Sequence, residues 1–152
     1  MNTVADAFGE EERARFAADI IVIGVVILVY VADTKPPKEK RLIVVGESYD
    51  HVSVATVYIN TELNTNVFPT KELQSLNPEF TSDGRVYLKH KSHVDCSSLH
   101  VLRKEFLVSI ISADPNRALG NVSEDDFKII RGLIKSARTI KPSLKKTYGL
   151  FL

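Results

Sequence analysis

The sequence predicts an α+β protein carrying a single N-terminal transmembrane helix followed by a small α+β domain. Three observations lead there. Residues 20–32, IIVIGVVILVYVA, run without a charge. A stretch rich in proline and lysine, TKPPKEKR, follows at once. The remaining chain mixes strand-like alternation with helical spacing, as small mixed domains do. The predicted division is an N-terminal segment 1–15, a transmembrane helix 16–32, a linker 33–41 and an extramembrane α+β domain 42–152.

Residues 3–15 carry acids early and arginines late, the sense a helix dipole prefers. They are expected to continue straight into the apolar run. From Phe16 to Ala32 only Asp19 interrupts that run. A helix of this length spans about 25 Å, close to the roughly 30 Å of a bilayer core. Two other readings compete. Nine of the twelve residues 20–31 are Val or Ile, which suits a buried strand. A cleaved signal segment fits poorly, because Asp6, Glu10, Glu11 and Glu12 stand where basic residues belong. Pro36 and Pro37 then end the helix.

In the domain, Leu42–Val45 and His51–Asn60 read as strands. Lys71–Leu76 reads as a short helix, Ser82-Asp83-Gly84 as a turn, and Arg85–Lys89 as a strand. Leu99, Leu102, Phe106 and Ile110 form a helical stripe within Ser98–Ser112. Ser123 is placed to cap a last helix, with Phe127, Ile130, Leu133, Ile134 and Ala137 on one face before Pro142. The apolar tail is expected to form a final strand or to dock on a partner.

Composition limits function. The 152 residues hold 20 basic and 19 acidic side chains, a net charge of +1, so no nucleic-acid partner is expected. With 44% hydrophobic residues the chain can build a core. One cysteine, Cys96, allows no intrachain disulfide.

Asp19 is the residue expected to carry chemistry. A carboxyl within an apolar helix is costly, and desolvation would raise its pKa into a range suited to proton exchange. The alternative places Asp19 in the headgroup region as a simple flank. The histidines and cysteine of KHKSHVDCSSLH (His90, His93, Cys96, His100) approach a metal spacing, but no second cluster completes a site. They are read as a solvated loop, with no metal and no cofactor. Gly46-Glu47-Ser48 lacks the second glycine of a nucleophile elbow, and Asp50 and His51 are merely adjacent to Ser48. No P-loop or dinucleotide fingerprint is present, so no enzyme is expected.

Phe16-Ala17-Ala18-Asp19 followed by IIVIGVVILVYVAD resembles the anchor of the ExbD/TolR family and, more distantly, that of MotB. Ser82-Asp83-Gly84-Arg85-Val86-Tyr87-Leu88, Ala113-Asp114-Pro115-Asn116-Arg117 and the helix Phe127–Ala137 resemble segments of that family's domain. The resemblance covers about two thirds of the chain loosely, and residues 47–80 match nothing in it. It implies a subunit of a proton-motive-force-driven energy transducer in the inner membrane. Asp19 would bind protons in a pore formed with a multi-span partner. The chain would be a homodimer in a larger complex, in contact with membrane lipid, its C-terminal domain periplasmic. Ala17, Ala18 and Gly24 would allow close helix packing, and Tyr30 would sit at the interface. Charge counting points the other way, with Arg13 and Arg15 before the run against Lys35, Lys38, Lys40 and Arg41 after it. A single-pass anchored assembly protein without a proton role is the alternative.

Overall fold

The computed structural model describes residues 9–31 and 38–151. Pro36 and Pro37, Asp33, most of the expected linker and the start of the expected first helix lie outside the described residues.

The apolar run is not one helix. Helix α1 (Glu10–Ile20) begins in acids and ends where the run has scarcely begun. The chain then turns through Gly24, whose φ of +100° is a conformation that disfavours any residue with a side chain. It continues as strand β1 (Val25–Val31). Among the described residues no helix is long and apolar enough to cross a membrane. The expected single transmembrane helix at 16–32 is therefore corrected, and the single-pass inner-membrane placement falls with it.

The physical reason lies in β1's neighbours. It pairs antiparallel with β2 (Lys38–Glu47) on one side and with β7 (Ala118–Asn121) on the other. Helices cover both faces. Its side chains alternate between two cores, Val26 into one and Val25, Ile27 and Val29 into the other. A strand buried on both faces reads as a continuous apolar run, like a membrane helix. The β-branched residues that weaken a helix favour this strand.

Strand β3 (Ser53–Asn60) pairs with β2, with a bulge between Val44 and Gly46. Helix α2 (Lys71–Ser75) follows, capped by the Thr70 hydroxyl, then β4 (Glu79–Phe80) and β5 (Ser92–Val94). Strand β6 (His100–Arg103) pairs with Ser53–Thr56 of β3 and runs into helix α3 (Lys104–Ala113). The first turn expected for a helix from Ser98 is thus a strand instead, since its backbone bonds go to β3. The main sheet order is β4-β5-β3-β2-β1-β7, with β6 also on β3. The result is a curled antiparallel sheet.

Residues 85–89 form a turn rather than the expected strand. Arg85 leaves it to make a bidentate pair with Asp126, at 2.8 and 2.9 Å. Asp126 lies in the first turn of helix α4 (Glu124–Ser136), and the Ser123 hydroxyl accepts from its N–H. The tail forms a short helix α5 (Pro142–Thr147), not a strand. Buried Tyr148 and Leu150 then return to the sheet. A Cβ at Gly46 would lie 2.4 Å from the Tyr148 carbonyl oxygen, so this glycine permits that return.

Each sheet face meets its own layer. One face (Val26, Ile43, Val45, Ala55, Val57, Ile59, Val94) packs on Ile130 and Ile134 of α4 and on Tyr148 and Leu150. The other (Val25, Ile27, Val29, Leu42, Val44, Val54) packs on Ala17 and Ile21 of α1 and Leu107 and Ile111 of α3. The two antiparallel-sheet faces are thus both apolar, each buried side chain contributing about 1.5–3 kcal/mol.

Candidate functional site

The face that receives α1 and α3 changes character along the same strands. In β2 the residues pointing to it are Val44 and Leu42, then Lys40 and Lys38. In β3 they are Val54 and Thr56, then Tyr58 and Asn60. Alternation places them on one face, and register places them in rows. Asn60 stands opposite His93 of β5, and His93 opposite Glu79 of β4. The Lys40 ammonium donates to the Asn60 side-chain oxygen, completing a row of Lys40, Asn60, His93 and Glu79.

Beside the row lies an aromatic pair. The rings of Tyr58 and His100 stack with centroids 3.8 Å apart and an interplanar angle of 4°. His100 is held from β6, where its carbonyl accepts from the fully buried Thr56 hydroxyl at 2.8 Å. Lys40, Tyr58, Asn60, His93 and His100 are all half-buried.

The electrostatics single out Lys40. Burial lowers its pKa, the nearby Lys38 lowers it further, and Asp95 opposes both. A cation held in this way gains more from an incoming anion than an exposed lysine does. The acids nearby are engaged. Asp95 accepts from the backbone N–H and hydroxyl of Ser97. Glu79 pairs with Lys91 at 3.1 Å.

The residues expected to carry function do not converge. Asp19 is exposed in the last turn of α1. Among the described residues no spanning helix holds it. Ala17 is fully buried in the α1–α3 core, and Ala18 is half-buried. Gly24 makes the turn, donating to Val44 and accepting from Val122. Tyr30 is 58% exposed on β1.

The KHKSHVDCSSLH segment is divided by the sheet. His93 and His100 reach the polar face, whereas Cys96 is buried in the opposite core. Burial, with Asp95 adding, pushes the Cys96 thiol up to about 12. Among the described residues no group of three or more His, Cys, Asp or Glu side chains is placed to hold a metal. Ser48 donates to Asp50 at 2.7 Å while His51 turns to Glu47. Those three therefore stabilise a hairpin, with Lys104 also on Glu47 at 3.1 Å. Burial tends to raise the Glu47 pKa, but the His51 and Lys104 hydrogen bonds outweigh it and hold the carboxyl low.

Sequence reasoning missed Lys40, Tyr58 and Asn60 as site residues. Lys40 read as linker, and the other two as ordinary strand positions. The signal that was available is modest: two strands that turn polar at the same end.

No protein-family model matches the chain, and no curated protein matches it significantly. The resemblance to the ExbD/TolR family thus stands on short motifs alone. What the fold itself defines is a class: an α+β domain on a curled antiparallel sheet, with one sheet face half covered by the described helices.

Proposed function

We propose that the protein binds single-stranded nucleic acid on the half of this sheet face that the described helices leave open. The observation that carries the reading is the Tyr58–His100 stack lying beside a partly desolvated lysine. Single strands are held by aromatic rings that stack on bases and by cations that follow the phosphates. Asn60 and His93 add hydrogen-bonding groups along the same row, able to touch base edges or sugar. The cations on the face, Lys38, Lys40 and Lys91, are few, so stacking rather than charge supplies most of the affinity. This reconciles the reading with a net charge of +1. Binding to duplex is expected to be weak, because paired bases are not free to stack on the rings.

Lys40 favours a second reading at the same place. An amine held below its ordinary pKa, with the His93 imidazole across Asn60 in the same row, can move a proton during cleavage of a bound phosphodiester. In that case an RNA strand with its 2′-hydroxyl would be cut and the same DNA strand would not.

The test is fluorescence anisotropy with labelled short RNA, DNA and duplex probes, with the strands run on a gel afterwards. The reading expects single strands to bind more tightly than duplex, and Tyr58→Ala to weaken them about tenfold. Equal binding of all probes, or binding indifferent to Tyr58→Ala, would sink it. Intact strands after incubation would remove the cleavage reading alone.

A further inference from the structure

His93 holds the centre of the row, and its hydrogen bond specifies a chemical state. The ring Nδ1 lies 3.3 Å from the main-chain oxygen of Asn77. A carbonyl oxygen only accepts, so Nδ1 carries the hydrogen. In a neutral imidazole that leaves Nε2 unprotonated, a hydrogen-bond acceptor facing away from Asn77.

The carbonyl is fixed in place. Asn77 is buried to 3% exposure, and its side-chain amide donates to the Leu73 oxygen at 2.9 Å. The carbonyls on either side of it, Leu76 and Pro78, accept from Cys96 and Val94 at 2.8 and 3.1 Å. The peptide that meets His93 is thus pinned against β5 from both sides.

Charged groups stand near the imidazole at the ends of its own strand, on β4 and on β2. Lys91 and Asp95 flank it on its own chain. Glu79 faces it from β4, and Lys40, with Lys38 behind, stands on β2 across the neutral Asn60 of β3. Among the described residues, the acids that face or flank the ring each have an oxygen engaged elsewhere, Glu79 with Lys91 and Asp95 with Ser97. An arriving phosphate supplies a negative charge to balance an imidazolium, and a bare Nε2 offers it no donor until a proton is added.

We propose that occupancy of this face by a phosphodiester is coupled to uptake of one proton at Nε2 of His93, with Asn77 as the positioning residue. The coupling rests on the binding reading above. The proton comes from solvent, no bond is broken, and the imidazole becomes a charged donor to the phosphate oxygen. Binding then strengthens as pH falls through the imidazole range.

Two measurements test this on the full chain. Nitrogen-15 NMR of the free protein at high pH reads the tautomer, and the expected form carries its proton on Nδ1. Anisotropy with a single-stranded RNA probe at about pH 6 and about pH 8 brackets the imidazole range. The wild type should bind several-fold more tightly at the lower pH. His93→Gln should lose that dependence, and His100→Gln should retain it. A proton found on Nε2, or a pH dependence that survives His93→Gln, would overturn the proposal. Wild-type binding that is equal at both pH values would overturn the coupling alone. No binding at either pH would overturn the reading of the face and the coupling with it.

Discussion

Two halves of one sheet face differ sharply although the same strands build both. Where α1 and α3 lie, β1 to β3 present Val25, Ile27, Leu42, Val44 and Val54, all nearly inaccessible. A few residues further along, β2 and β3 present Lys40, Tyr58 and Asn60. The same strands run through both halves, with a bulge at Val44/Gly46 in the β2–β3 pairing, so the difference lies mainly in side chains and cover. The covered half supplies stability. The open half keeps polar and aromatic groups half-buried, a state that costs desolvation and gains little from packing. That contrast is what directs attention to the open half as the functional surface.

Substitutions can break or sharpen the contrast. The largest effect is expected in the covered half. Leu107→Ala should cost about 3 kcal/mol in chemical denaturation while leaving nucleic-acid affinity of the folded protein unchanged. A loss of binding in folded Leu107→Ala would mean that the two halves are not separable.

The sheet's other face offers a polar control. Hydrogen bonds from Arg85 hold the Asp126 carboxyl below its ordinary pKa, although burial opposes them. A lowered carboxyl pKa stabilises the fold above the unfolded value of about 4, and the contribution disappears as pH falls through the lower folded value. Asp126→Asn should therefore cost about 2 kcal/mol at neutral pH and flatten the acid limb of the stability curve. An unaltered acid limb would show that other carboxylates govern acid unfolding.

In the open half the order of effects reverses. Tyr58→Ala should reduce single-strand affinity about tenfold, roughly 1.4 kcal/mol, with a smaller change in melting temperature. Lys40→Met should weaken binding by a lesser factor and reduce the salt slope of log K by about 0.7, the value of one phosphate on a single strand. A salt slope unchanged in Lys40→Met would place the phosphates elsewhere.

Asp19→Asn is expected to do least. It is exposed at the end of α1, so stability should change by less than about 0.5 kcal/mol, and binding should not change. A large functional loss from this single change would show that Asp19 has a role the polar row does not explain.

Local signals in the sequence were read well where the chain interacts with itself over short distances. The Ser123 cap and the helix after it follow from hydroxyl placement and apolar spacing. The strand ending at Asn60 follows from alternation. Local reading failed where the partner is remote. Leu99, Leu102, Phe106 and Ile110 fit one helix, yet His100–Arg103 pairs with residues about fifty positions earlier. Of the open face, only His93 and His100 attracted notice, as a weak metal spacing.

The sequence by itself determined that most of residues 20–31 belong in apolar surroundings, that helices begin at Ser123 and near Lys71, and that one core-forming domain is possible. Whether the apolar run entered a bilayer or a sheet was decided by the tertiary structure. A doubly buried strand and a spanning helix both require uninterrupted apolar residues, and only the pairing with β2 and β7 separates them. The row of Lys40, Asn60 and His93 likewise exists only through strand register, which brings together residues that no local pattern connects.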